Sequence, residues 1–445
     1  MKSKLGLLLV LLLTVQLLTS CGSDGSSSAT TSFSTPTGTG HLRKSGTLWI
    51  INLEGSYTDM GRQYGALLRK ELADLFIKVD QQVTLTERGM VALVKKQMKT
   101  RESQLLAGMA MESGLTSDQL ELVNATLLFM YTTGGCSAFS ATSSQTISGH
   151  TIAGRNLDNP RGVFSSIYSN NSIIVTYNPK EQFTGNSAHR DNSVAIMTEI
   201  GWLYGLTNLN SKGLYLEYNN ATNSIPIILK NPDGTPNIAD LQNRLATQMD
   251  GLHQNLYASF DCDTLEDLDR MMTDPQNGPA VATITQVADQ NQVWHYERTP
   301  YETSKKIAAG FAKHTYAYDN PVDMDIFTNH FFFDTWQNQN MAIYNDYANG
   351  KDTASRSFAR LTNLQNLAKE AVQVGKITPE KMMQIMTTRL LPDDSGGPFI
   401  DWGFTNPDVT YFTSVTDIAN KVMHIYPNLD IAPQWVTVDL KHEFR

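Results

Sequence analysis

Hydrophobic and polar positions change rhythm three times along this chain, and the changes divide it. A mainly apolar run over residues 5–18 comes first. Residues 22–40 are almost wholly Gly, Ser, Thr, Ala and Pro, a composition that buries no apolar surface and predicts a flexible tether reaching to about residue 45. Residues 47–53 then alternate as a strand does, and Leu67, Leu68, Leu72, Leu75 and Val79 recur at helical spacing after Thr58-Asp59. Further helices are expected over residues 87–112 and 117–131, the second opening on Ser117-Asp118-Gln119. The helical block stops at the pair Gly134-Gly135. Beyond it the period shortens: residues 136–143, 150–154, 172–177, 193–197, 213–218 and 293–297 are rich in Val, Ile, Tyr and Thr and read as strands. Helices are expected at 238–249, 264–272, 335–347, 358–374 and 378–388. A late hairpin fits 409–415 and 422–426, turning at 417–420.

Residues 1–20 have a basic start at Lys2 and Lys4 ahead of the apolar run, which is shorter than the roughly 20 residues a spanning helix needs. The ending Leu18-Thr19-Ser20-Cys21 resembles a bacterial lipoprotein signal. That resemblance implies a mature chain beginning at Cys21, held to an envelope membrane outside the cytoplasm by acyl chains. An ordinary secretory peptide with a coincidental cysteine is the alternative. The rest divides into a linker at 21–45, a mainly helical segment at 46–135 and a strand-rich body at 136–445.

The chain's 445 residues, 41% of them hydrophobic, suffice for a large core. A net charge of -9 with no basic cluster argues against nucleic acid as a partner. The nine histidines are scattered and no Cys-x-x-Cys occurs, so no metal site is expected. Neither Gly-x-Ser-x-Gly nor a glycine-rich phosphate loop is present. Candidate chemistry therefore falls to Cys136. It could pair with Cys262 in a disulfide, since an oxidising compartment permits one. It could act in an intact chain with His295, His314 or His330 as base. Or its thiol could attack the Gly135 carbonyl, cut the Gly135-Cys136 bond and leave Cys136 as a new N-terminus. The freed α-amine, with a pKa of about 8, would then serve as the thiol's own base.

Cys136 opening a strand, then Gly154-Arg155-Asn156-Leu157-Asp158 after a polar turn, resembles the cysteine N-terminal-nucleophile (Ntn) hydrolases, closest to their self-cleaving acyl-CoA:6-aminopenicillanate acyltransferase-like (C45 peptidase) group and related to choloylglycine hydrolases and penicillin V acylases. Gly61-Arg62-Gln63-Tyr64-Gly65, Asn210-Ser211-Lys212-Gly213-Leu214 with Asn219-Asn220, Thr328-Asn329-His330-Phe331 and Ser355-Arg356 are similar to further motifs of that family, in its order. The resemblance implies an α+β fold, a four-layer αββα sandwich of two antiparallel sheets preceded by a helical pro-segment that stays bound after cleavage. It implies Cys136 as nucleophile, Asp158 as acceptor for its amine, Arg155 beside the sulfur favouring thiolate, and Asn329 as oxyanion donor. Asn219 or Asn220 shares the oxyanion role, and Arg356 orients strand ends or substrate. No cofactor is implied, and the expected partner is a small, amphipathic amide. Hydrolysis at a linear carbon-nitrogen bond is expected over acyl transfer, because acyl-CoA is not found outside the cytoplasm. A ligand-binding lipoprotein of the same fold is the rival from another class. Cys262 is read as structural or as a free thiol.

Overall fold

The structure, a computed structural model, describes residues 29–130, 135–160, 167–168, 170–181, 191–221, 224–308, 320–331, 357–388, 408–427 and 434–445. The lipidation candidate Cys21, the residue Gly134, the base candidate His314, the helix expected at 335–347 and Arg356 lie outside them.

Three strands open the described chain: β1 (Thr31–Thr35), β2 (Gly38–Ser45) and β3 (Leu48–Gly55). The first two replace the tether expected over this stretch. They form an antiparallel hairpin whose Thr-rich strands hydrogen-bond to one another and then to β3, so backbone pairing orders what composition alone leaves soluble. Helices α1 (Tyr57–Leu67), α2 (Arg69–Asp80), α3 (Leu85–Lys95), α4 (Thr100–Ser113) and α5 (Ser117–Met130) follow. Two of the expected helices are each split in two. Leu68, at φ -117° and ψ 23°, ends α1 and begins α2. The chain breaks again after Lys96, where Thr84 and Glu87 had opened α3 with a capping box. Helix α5 is capped by Thr116, whose hydroxyl accepts from Gln119 N, one residue earlier than its sequence suggests.

Gly61 and Gly108 let α1 and α4 touch backbone to backbone. A Cβ on Gly61 would stand 2.1 Å from Leu105 O, and one on Gly108 2.1 Å from Thr58 O. Between the glycines of its motif, Gln63 bonds Glu54 through both ends of its amide and reaches Thr35 Oγ1 at 2.8 Å. The Gly-x-Gln-x-Gly stretch thus ties α1 to α4 and to the first strands.

The body contains β4 (Gly135–Ala141), β5 (Ile152–Pro160), β6 (Ser172–Pro179), β7 (Val194–Glu199), β8 (Thr207–Asn210), β9 (Tyr215–Asn220), α6 (Ile238–Thr247), α7 (Gly251–Asp261), α8 (Leu265–Thr273), β10 (Thr283–Ala288), β11 (Val293–Thr299), β12 (Glu302–Ala308), β13 (Met324–Phe327), α9 (Ser357–Val374), α10 (Pro379–Met386), β14 (Asp408–Asp417), β15 (Val422–Pro427) and β16 (Val436–Asp439). Among the described residues they make a ten-stranded sheet, β1-β2-β3-β6-β7-β8-β9-β10-β11-β12, and a six-stranded sheet, β13-β4-β5-β14-β15-β16. Helices α9 and α10 cover the outer face of the smaller sheet, and α7 and α8 that of the larger. This is an α+β architecture in four layers, αββα. One pairing departs from the antiparallel sheets expected: β3 runs parallel to β6 over seven paired positions, Trp49 with Ile173 to Gly55 with Pro179. Strand β3, third in the sheet of ten, therefore leads into the helical segment from a parallel pairing.

Fully buried apolar residues such as Ile51, Leu53, Ile174, Ile196 and Leu209 fill the large sheet's faces. Each such side chain contributes about 1.5–3 kcal/mol of burial. Between the two sheets the filling is partly polar. Ser140 Oγ donates to Gln286 Oε1 at 2.6 Å, Gln286 Nε2 to Asp325 Oδ2 at 2.7 Å, and His295 Nδ1 meets Asp325 Oδ1 at 2.7 Å. This chain of side chains ties the sheets together across the layer that also holds Cys136. No helix among the described residues is long and apolar enough to cross a membrane.

Candidate active site around Cys136

Cys136 is the second residue of β4, an inner strand of the smaller sheet, and is buried. Register with β5 sets its neighbours: Gly135 stands opposite Asp158, Cys136 opposite Leu157 and Ala138 opposite Arg155. Arg155 lies two residues further along, and its long side chain returns to donate from Nη2 to Cys136 Sγ at 3.0 Å and to Tyr218 O at 2.8 Å. Its Nε is 3.5 Å from Glu217 Oε1, and both side chains are fully buried. Glu217 also accepts from Tyr215 OH at 2.8 Å.

The backbone nitrogen of Cys136 is held as firmly as its sulfur. It donates to Asn329 Oδ1 at 2.7 Å. The Asn329 amide nitrogen donates in turn to Asn220 O at 2.9 Å and Asn220 Oδ1 at 3.1 Å. Asn329 follows β13, and its own N–H donates to Ser357 Oγ at 2.8 Å at the start of α9. Ser357 Oγ also meets Thr328 Oγ1 and His330 Nδ1.

An arginine that sequence reading passed over completes the cluster. Arg360, one turn into α9, donates from Nη1 to Cys136 O and to Ser137 Oγ at 2.8 Å, and from Nη2 to Asn329 Oδ1 at 2.7 Å. Its Nη1 is 3.6 Å from Asp158 Oδ2. Asp158 Oδ1 accepts from Thr410 Oγ1 at 2.7 Å. A Cβ on Gly135 would meet Arg360 Nη2 at 2.7 Å, so a larger residue before Cys136 would displace the guanidinium lying against it. No residue pattern singles out Arg360, whereas Glu217 stands out as an acid inside the apolar run from Leu214 to Tyr218.

The structure therefore brings together Cys136, Arg155, Asp158, Asn220, Asn329 and Gly135 from the sequence reading. Asn219 shares with Glu217 the face of β9 that looks onto the smaller sheet, and its amide donates to Thr328 O at 3.0 Å. It buttresses the segment carrying Asn329, whereas Asn220 bonds Asn329 itself. Asn329 departs from the expected oxyanion geometry in the uncut chain: its oxygen faces the Cys136 nitrogen and its N–H groups face Asn220.

Burial pushes the Cys136 thiol up to about 11; Arg155 and Arg360 pull it down, and Asp158 and Glu217 oppose them. In the uncut chain desolvation outweighs the neighbouring cations. Burial likewise holds the Glu217 carboxyl at about 8, against the pull of Arg155. Neither Cys136 nor Cys262 is in a disulfide, which removes the pairing of the two. Of the histidine bases, His295 is engaged by Asp325, and burial together with Arg360 pushes His330 down to about 3, too weak a base for a thiol. Among the described residues no group of His, Cys, Asp or Glu side chains is arranged to hold a metal ion.

No family model matches the chain, and no curated protein matches it. Among solved structures it is similar to a mutant of conjugated bile acid hydrolase from Clostridium perfringens, at 13% identity over 68% of this chain and 93% of that one, TM-score 0.41. It is also similar to the N-acylethanolamine-hydrolyzing acid amidase ortholog of Caenorhabditis elegans, at 16% identity over 64% of this chain and 96% of that one, TM-score 0.40. A third is penicillin V acylase from Agrobacterium tumefaciens, at 11% identity over 69% and 86%, TM-score 0.37.

Proposed function

We propose that this chain is a cysteine Ntn hydrolase, anchored by lipid at Cys21 outside the cytoplasm, that cuts itself at Gly135-Cys136 and then hydrolyses linear amides. The observation that carries the reading is the double hold on one residue. Arg155 donates to the Cys136 sulfur at 3.0 Å while Asn329 accepts from the Cys136 nitrogen at 2.7 Å. A cysteine kept for packing needs an acceptor for its buried N–H but no guanidinium at its sulfur. A nucleophile whose own amine is its base needs both atoms placed.

In the cleaved enzyme the Cys136 amine takes the thiol proton, and Arg155 stabilises the resulting thiolate. Sulfur attacks the amide carbonyl, and the tetrahedral oxyanion is met by the Asn329 amide, released from Asn220 for the purpose. Such a donor contributes about 3 kcal/mol. The ammonium returns its proton to the leaving nitrogen, the carbon-nitrogen bond breaks, and a thioester remains on Cys136. Water, deprotonated by the same amine, then attacks the thioester and releases the acid. Asp158 and Arg360 hold the amine and the Cys136 carbonyl throughout. Strand β3 stays paired with β6, which supports a pro-segment that remains bound after the cut.

Acid-quenched mass spectrometry of the full chain mixed with a series of N-acyl anilides tests the chemistry. The expected product is an acyl adduct on Cys136, labile to hydroxylamine and absent from Cys136→Ala. An adduct on another residue, or binding of the anilides with no adduct and no aniline released, would favour the ligand-binding rival.

A further inference from the structure

The pairing of β14 with β5 is broken beside the site. Thr410 stands opposite Asp158, but the next pair is Phe412 with Leu157, and from there the register runs regularly through Thr413 with Asn156 to Asp417 with Ile152. Tyr411 is the extra residue of a β-bulge. In an unbroken ladder Tyr411 would face Asp158, and its ring would have to fit where the carboxylate meets Arg360. The bulge turns Tyr411 into the core, where it is buried, and brings a hydroxyl of the right length to the carboxylate. Thr410 Oγ1 then donates to Asp158 Oδ1 at 2.7 Å, while Asp158 Oδ2 lies 3.6 Å from Arg360.

Building on the proposed self-cleaving reading, we infer that Thr410 is a positioning residue for the chemistry of Cys136. It clamps one oxygen of Asp158 so that the other faces Arg360 and the nitrogen side of Cys136. A hydrogen bond given to a carboxylate favours its charged form.

Self-cleavage of the full chain, made by cell-free translation and followed over time from pH 5 to 8, tests this without an external substrate. Wild type, Asp158→Asn, Thr410→Val and Thr410→Ser are compared by the appearance of the fragment starting at Cys136. Thr410→Val is expected to cleave about tenfold more slowly, with the acid limb of its profile moved up by about one pH unit. Thr410→Ser, which keeps the hydroxyl, restores both rate and limb; a merely structural threonine would not move the limb. A Thr410→Val chain with the wild-type rate and limb, beside a crippled Asp158→Asn, overturns the role of Thr410 alone. So does a Thr410→Ser chain no better than Thr410→Val. A wild-type chain that never cuts before Cys136 overturns the underlying reading, and the role of Thr410 with it.

Discussion

Two buried charged networks differ in a way that separates chemistry from assembly. Around Cys136, Arg155 and Arg360 face Asp158 and Glu217, two cations against two acids, drawn from β5, α9 and β9 onto a single residue. The other network lies where the helical segment meets the body. There Glu102 of α4 and Glu121 of α5 meet His253 of α7, whose ring lies tilted by 45° against Tyr204 at 4.6 Å and has Asp250 3.6 Å from its Nδ1. Three acids face one imidazole, and neither oxygen of Glu121 has a hydrogen-bond partner.

In the first network burial raises Glu217 to about 8 against the pull of Arg155; in the acid-rich one it acts on an acid and an imidazole together. Burial pushes Glu121 up to about 7, with Glu102 and Asp118 adding to the rise and His253 and Lys95 opposing it. Burial alone would drive His253 down, but Glu102, Asp250 and Glu121 more than reverse this, to about 9.

The largest expected effect falls on the balanced network. Asn329→Leu removes both the acceptor of the Cys136 nitrogen and the proposed oxyanion donor, and amide turnover should fall by about 10²–10³-fold. A loss under threefold in steady-state rate would break the distinction. Next, Arg155→Met leaves Glu217 buried without its guanidinium, and urea unfolding should show a loss of about 1–3 kcal/mol. Adding Glu217→Gln should recover much of that stability and none of the activity. Recovery of activity as well would mean the pair is structural.

Smaller effects are expected at the acid-rich network. The folded pKa of His253 lies above its unfolded value, so its contribution is full below about pH 6.5 and is lost as pH rises through about 9. The cost of ionising Glu121 is absent below about pH 4.5 and sets in as pH rises toward 7. Both make the contact between α4, α5 and α7 weaker toward alkaline pH. His253→Gln should therefore lower the melting temperature by several degrees at pH 6 and hardly at all at pH 10, with turnover per folded molecule unchanged. A pH-independent difference would assign His253 to packing alone. The smallest effect is expected of Ser357→Ala, which loosens Asn329 without touching Cys136 and should slow turnover about threefold in the same assay.

What could be read from the sequence follows the same division. Most strands of the body were legible because Val, Ile, Tyr and Thr content marks segments buried on both sides, as in Ser172–Pro179. Cys136, Arg155, Asp158 and Asn329 were found because one motif fixes each in order along the chain. Arg360 and Thr410 were not, because what joins them to Cys136 is a helix start and a strand bulge, neither of which leaves a residue pattern. The hairpin β1-β2 was missed for a different reason: its order comes from backbone pairing to β3, and Gly38, Thr39 and Gly40 carry no apolar period. The split at Leu68 was hidden because the apolar spacing runs through it unbroken.

The central claim is that Cys136 cuts the bond before it. Intact mass of the purified full chain under denaturing conditions, beside Cys136→Ala, measures this directly. The account predicts two fragments from the wild type, divided between Gly135 and Cys136, and a single chain from the alanine variant. A wild-type chain that stays whole, or an alanine variant cut at the same bond, would contradict it.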